Sequence, residues 1–264
     1  MADSGFETIA LSEAAPRVLL LALNRPERAN AINTKMAEEL LTVFQDLGSY
    51  GPETRCLLLT GTGKTFCAGG DLKERAQLSE SAWREQHRIM EHTILAMLDV
   101  RMPIVAAVNG AAFAGGLELA LSADFIYASE TASFALTETR LGIMPGAGGT
   151  QNLPRAAGLR RAKELIFSAV SFNAAEALAW GIVNRITPQD ALMSESLAVA
   201  ARIAANAPLA VRQAKKAIDG GFTLDVRSGL RFAFECYHHL LPSRDRSEGI
   251  NAFLEKREPR FTGG

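Results

Sequence analysis

Short aliphatic runs alternate along this chain with segments whose apolar residues recur every three or four positions. Val18 to Leu23 is a continuous apolar run closed by Asn24-Arg25-Pro26. Proline ends ladder pairing, so the run predicts a buried strand followed by a turn. Residues 34 to 47 place Met36, Leu40, Val43, Phe44 and Leu47 on one helical face, with Thr34 as the expected N-cap and Gly51-Pro52 as the break. Cys56 to Thr60 reads as a second strand and Gly61 to Lys64 as a turn. The same grammar returns in a helix over 80–99, a strand over Ile104 to Val108, a turn at Asn109-Gly110 and a helix from about Gly115. Further strands are predicted at 124–128 and 182–186, with helices near 158–168 and 174–180 between them. Strands alternating with helices imply an α/β fold with largely parallel, buried pairing. From about residue 190 strand signals fade, and helical patterns over 191–205, 208–219 and 225–239 predict a C-terminal helical region. The expected organisation is a core of residues 1–195 and an appendage of 196–264.

Composition narrows the class. With 264 residues, 48% apolar and 22% charged, the chain can bury a sizeable core and is not disordered. A formal net charge of -1 removes the electrostatic reason to expect nucleic acid or an anionic membrane as main partner. The longest apolar stretch, about 111–128, is interrupted by Glu118 and Asp124 and does not read as a membrane span. The N-terminal segment MADSGFETIA lacks the basic and apolar regions of a signal peptide. Cys56, Cys67 and Cys236 are widely spaced and odd in number, as expected of buried thiols in a reducing compartment, and the cytoplasm is the expected location.

Several familiar chemistries are absent from the pattern. Gly61-Thr62-Gly63-Lys64-Thr65 invites a phosphate-loop reading, but Leu58 stands where that loop needs a glycine. No GxGxxG opens a helix after the first strand, and no GxSxG elbow occurs. The four histidines show no HExxH and no zinc spacing, so no metal site is expected and they read as surface or core residues.

What remains is the stretch from 110 to 150. Gly115-Gly116 precedes an apolar run carrying Glu118, and Glu138 follows in a segment that closes on Gly146-Ala147-Gly148-Gly149. An earlier small-residue segment, FCAGGDLKE (66–74), also follows a strand. Two such turns, each leading into a helix, could hold an oxyanion between the N–H groups of Gly70 and Gly115. A glutamate in an apolar helix is costly to bury unless it is paired, protonated or used.

Over nearly its whole length the chain resembles the enoyl-CoA hydratase/isomerase (crotonase) superfamily. The segments that carry the resemblance are NRPERANAI (24–32), FCAGGDLKE, AAVNGAAFAGGLELALSAD (106–124), ETRLGIMPGAGGTQNLPR (138–155) and DRSEGINAFLEKREPRF (245–261). The resemblance implies a crotonase-like spiral of repeated ββα units with a C-terminal helical region that assembles trimers or dimers of trimers. It implies that Gly70 and Gly115 bind the thioester oxygen, that Glu118 is the base and Glu138 the acid of a hydratase, and that Gly146 lines the pocket. Coenzyme A, as part of the substrate rather than a cofactor, would be met by Arg28, Ala29, Ala68 and the segment Gly70, Asp71, Leu72, Lys73. Phe253 and Lys256 match positions that contact its nucleotide end, often from a neighbouring subunit. Isomerases of the family commonly lack the glutamate matching Glu118, so the pair favours hydration of a trans-2-enoyl-CoA over isomerisation.

Within the family the closest echo is the methylglutaconyl-CoA hydratase branch, through CAGGDLKERAQLSE and RAKELIFSA. RNA-binding members of that branch carry a lysine-rich early helix. TKMAEELLTVFQDL has one lysine and three acidic residues, which speaks against RNA. The alternatives are therefore a branched-chain hydratase, an isomerase, and a coenzyme A- or RNA-binding protein on the same fold.

Overall fold

The structure is a computed structural model and describes residues 5–47 and 53–264; Gly51-Pro52, the expected helix break, lies outside them. Strand β1 (Ile9–Ala15) turns back into β2 (Val18–Leu23), and α1 (Thr34–Asp46) leads to β3 (Cys56–Gly61). The N-cap of α1 is Asn33, whose side chain accepts from Met36 N at 3.0 Å, and not Thr34. The chain continues through α2 (Leu72–Arg75), α3 (Glu80–Leu98), β4 (Ile104–Val108), β5 (Ala112–Phe113) and α4 (Gly115–Leu121). After β6 (Phe125–Ser129) and β7 (Ser133–Ala135) come α5 (Gly149–Ala157), α6 (Leu159–Ser168), β8 (Phe172–Asn173), α7 (Ala174–Ala179) and β9 (Arg185–Thr187). Four helices complete it: α8 (Leu192–Ala205), α9 (Pro208–Gly221), α10 (Val226–His238) and α11 (Arg244–Leu254).

The main sheet runs β1-β2-β3-β4-β6-β9 and is parallel except for the β1–β2 hairpin. Side chains alternate across it, as the pleat requires. Leu57, Leu59, Ala106 and Val108 enter the larger core with α1 and α3, while Cys56, Leu58, Val105 and Ala107 meet Leu192, Ala200 and Ala204 of α8. Both faces being covered explains why β3 and β4 read as unbroken apolar runs. The boundary expected at 195 falls inside α8, whose buried face packs on this sheet. A smaller sheet, β5-β7-β8, stands apart from it. Three differences from the sequence expectation concern extent: the strand expected at 182–186 is reduced to Arg185–Thr187, and β1 and the small sheet add strands that periodicity does not predict.

Two tight backbone approaches and one side-chain tie fix the strand ends. An ideal Cβ at Gly110 would lie 2.0 Å from Lys64 O, and one at Gly61 would lie 2.4 Å from Phe66 O. Gly61 of the GTGKT turn is therefore packed against backbone, a structural use of that glycine. Asn30, in left-handed backbone at φ 53°, donates through its side chain to Thr62 O and Thr65 O and ties the NRPERAN turn to the same place.

Candidate active site

Residues 29–32 and 67–70 run side by side. Ala68 N donates to Ala29 O, Ile32 N to Gly69 O and Asp71 N to Ile32 O, and Cys67 pairs onward with Ala112 of β5. This brings the FCAGGDLKE segment against the start of α4. Gly69 stands at φ 94°, where a Cβ would fall 2.8 Å from Ala114 Cβ, so only glycine lets the two turns meet. Ala114 itself sits at φ 48°, backbone strain of the kind that persists where the surroundings over-determine it.

The glycine pair divides its labour. A Cβ at Gly116 would lie 2.3 Å from Cys67 O, so packing demands that glycine. A Cβ at Gly115 meets nothing closer than 3.9 Å, and one of those nearest atoms is Gly70 N. The space it would occupy is a cavity of about 460 Å³ whose wall includes Gly70, Gly115, Glu118, Glu138 and Gly146.

Glu118 is 2% exposed, on the first turns of α4. Its Oε1 accepts from Ala147 N and Gly149 N, each at 2.8 Å. The turn at 146–149 is thus a cradle in which a carboxylate occupies the N-terminus of α5. A Cβ at Gly149 would come within 3.0 Å of that same oxygen, which accounts for the glycine. Burial raises the Glu118 pKa, and the two amides oppose the rise. Glu138 is 6% exposed, at the head of a 3-10 turn held to α6 by Thr139 Oγ1 donating to Ile166 O. Neither of its carboxylate oxygens has a hydrogen-bond partner, and burial, with the charge of Glu118 adding to it, pushes its pKa up to about 7.

The expected pocket and coenzyme A residues separate into four groups. Ala68, Gly70, Leu72 and Gly146 line the cavity. Asp71 is occupied elsewhere: it caps α2 by accepting from Lys73 N and Glu74 N and pairs with Arg25 at 3.1 Å. Ala29 is joined to Ala68 through backbone, while Arg28 and Lys73 are exposed and do not line the cavity. Phe253, 83% exposed, and Lys256 lie in the tail and do not line the cavity of their own chain. The three cysteines are free and buried, with the Cys56 and Cys67 thiols pushed up to about 12 by burial.

Other residues come to the site without a signal in the sequence. Arg75 and Gln86 read as polar positions on helices, and His87 as a surface histidine, yet all three line the cavity. His87 packs beside Gly146, where a Cβ would lie 2.6 Å from its Cε1, and reaches Glu91 at 3.3 Å. The Ala147 and Gly149 amides could have been found from the glycine-rich turn before a helix, a known anion-binding arrangement. Among the described residues no cluster of metal ligands occurs, and no helix is long and apolar enough to cross a membrane.

Comparison with known proteins gives one consistent answer. A family model described as Enoyl-CoA hydratase/isomerase matches residues 13–264. YngF of Bacillus subtilis is 44% identical over 245 residues, covering 92% of this chain and 94% of that protein. Human enoyl-CoA hydratase domain-containing protein 2, mitochondrial, is 41% identical over 250 residues, with 92% and 85% covered. The crystal structure of an enoyl-CoA hydratase from Bacillus anthracis superposes with a TM-score of 0.95 at 41% identity, covering 98% of this chain and all of that one.

Proposed function

This chain belongs to the enoyl-CoA hydratase/isomerase family, of the crotonase superfamily, and from that premise we propose that it hydrates trans-2-enoyl-CoA thioesters reversibly to 3-hydroxyacyl-CoA. The observation that carries the reading is the asymmetry of the two buried glutamates. Glu118 is held by two amides that stabilise its charged form, whereas Glu138 has no donor on either oxygen. Two carboxyls in one cavity titrate as a pair, and the unsupported member keeps the shared proton. Glu118 is then the base and Glu138 the acid.

The steps follow from that assignment. The thioester carbonyl sits against the N–H groups of Gly70 and Gly115, where negative charge develops as water adds to the conjugated double bond. One well-placed donor there contributes about 3 kcal/mol. Glu118 takes a proton from the water as its oxygen attacks the β-carbon, and Glu138 delivers its proton to the α-carbon. An isomerase needs to move only one proton within the substrate, so a second buried carboxyl favours hydration.

The test is loss of the conjugated-thioester absorbance of crotonyl-CoA. Glu118→Gln and Glu138→Gln should each lower the rate by about 10²- to 10⁴-fold, the usual worth of a general base or acid. Wild-type rates in either variant would remove that residue from the mechanism. Rapid conversion of a 3-enoyl-CoA to its 2-enoyl isomer, without hydration, would favour the isomerase reading instead.

The C-terminal helices support assembly of like chains. Ile218, Phe222, Val226, Leu230 and Phe234 of the α9–α10 region are all at least half exposed, and large apolar side chains left in solvent on neighbouring helices are the raw material of an interface. A trimer or dimer of trimers is the expected form, and light scattering should give the mass of three or six chains. Assembly would also bring Phe253 and Lys256 of one chain towards coenzyme A held by another.

A further inference from the structure

Residues 143–148 belong to no helix or strand, yet this turn, with the first residue of α5, supplies the amides that fix Glu118. Pro145, Ala147 and Gly149 are buried and anchor its inner side, whereas Gly146 between them is exposed. At Gly146 the three atoms nearest an ideal Cβ, at 2.6, 3.3 and 3.7 Å, are Cε1, Nε2 and Nδ1 of His87. The imidazole therefore stands where a side chain at 146 would stand. His87 belongs to α3, a helix of 19 residues. Seven positions further on, Ile94 Cγ2 lies 3.7 Å from the Cβ position of Gly148. Residues seven apart share one helical face, so α3 runs along the turn and meets it at two of its glycines. Met90, between them, lines the cavity. The ring is steadied by Glu91, whose Oε1 is 3.3 Å from Nε2. Both side chains are about half exposed, at 42% and 52%, so the core makes no demand for a histidine here.

We infer that His87 is a positioning residue for the base: by backing Gly146 it keeps the Ala147 and Gly149 amides on Glu118, so that the chemical step depends on it and substrate affinity does not. The inference rests on the reading of Glu118 as base. Those amides stabilise the carboxylate, the form that can take a proton from water. A turn free to move outward weakens both bonds and leaves burial to favour the neutral acid. The charged groups around the pair of glutamates are His87 of α3 and Arg75 of α2, with Glu138 facing Glu118 and Glu91 facing His87. The positive charge of His87 lowers the Glu118 pKa, as the amides do. Removing the ring raises it by both routes, and a base with a higher pKa is lost at a higher pH on acidification.

His87→Ala tests this in crotonyl-CoA hydration. Its kcat should fall about 10-fold or more, since small misplacements of a reacting group are costly, while KM changes less than about 2-fold. The acidic limb of kcat/KM should move to higher pH. Gly146→Ala should also slow the reaction, because its methyl would meet the ring at 2.6 Å, and the double variant should lose less than the product of the two single losses. An unchanged kcat, a loss expressed in KM alone, an unmoved acidic limb or strictly multiplicative losses would overturn the inference. Infrared difference spectroscopy across a pH titration reads the Glu118 carboxyl without turnover, its band identified by its absence in Glu118→Gln. If the protein does not hydrate crotonyl-CoA but the midpoint of that band rises in His87→Ala, the hydratase reading falls and the positioning role stands. A midpoint unmoved in His87→Ala overturns the positioning role whether or not the protein hydrates.

Discussion

Replacing Glu138 by glutamine should remove activity and raise stability, and the size of the second effect can be worked from the site. Burial and the neighbouring Glu118 raise the Glu138 pKa from 4.5 to about 7. Below pH 4.5 the carboxyl is protonated in both the folded and unfolded chain and contributes no difference. Between pH 4.5 and 7 the unfolded chain releases the proton while the folded chain keeps it, so stability falls as pH rises. Above pH 7 the folded protein carries the whole cost of a buried charge, about 3 kcal/mol from the pKa displacement. Glutamine has the same shape and no charge to lose, and neither carboxylate oxygen leaves a donor orphaned. The advantage of Glu138→Gln should therefore grow from near zero at pH 4.5 to about 3 kcal/mol above pH 8, or roughly 6 °C or more in Tm for a chain of this size. Thermal unfolding followed by circular dichroism, at one protein concentration across pH 4.5–8.5, measures it. A variant no more stable than wild type at pH 8, or an advantage that does not shrink on acidification, would refute the electrostatic account of Glu138.

Other substitutions separate packing from function. Gly115→Ala should fold normally, because its Cβ meets no protein atom closer than 3.9 Å, yet lose about 10²-fold or more in kcat/KM as the methyl enters the oxyanion seat. Gly116→Ala, driven to 2.3 Å from Cys67 O, should cost upwards of about 3 kcal/mol by overpacking, read as lost soluble protein or a lowered Tm. Asn33→Ala should destabilise by about 1 kcal/mol through loss of the α1 cap, and an unchanged Tm in that variant would refute the capping role.

The parts of the fold legible in the sequence are those where one rule acts alone. Strands β3 and β4 are covered on both faces, so hydrophobicity marks them without interruption. The β5, β7 and β8 strands are two or three residues long and carry too few positions for a period to show. Asn33 and Thr34 are both good caps by chemistry, and one residue of helix phase, invisible in the pattern, separates them. At the site, Glu118 is conspicuous because it is acidic in an apolar helix. Arg75, Gln86 and His87 occupy positions that a helical pattern assigns to solvent, and only the meeting of α2 and α3 with the 137–147 segment encloses them. The glycine-rich turn was visible as a wall of the pocket but not as the cradle of Glu118, since that role depends on amides 29 and 31 residues away in sequence.

The two-sided burial of the central strands also bears on how this protein can change over generations. No side chain from Cys56 to Leu59 or from Ile104 to Val108 reaches solvent, so drift there is confined to exchanges among apolar residues of similar volume. The cavity wall from α2, α3 and the 137–147 segment contributes nothing to those strand ladders. Met90 and Ala147 serve both the cavity wall and the core, so the two demands overlap there. Positions that line the cavity without belonging to the core, such as 75 and 144, are where single substitutions can retune acyl selectivity at least cost to the fold.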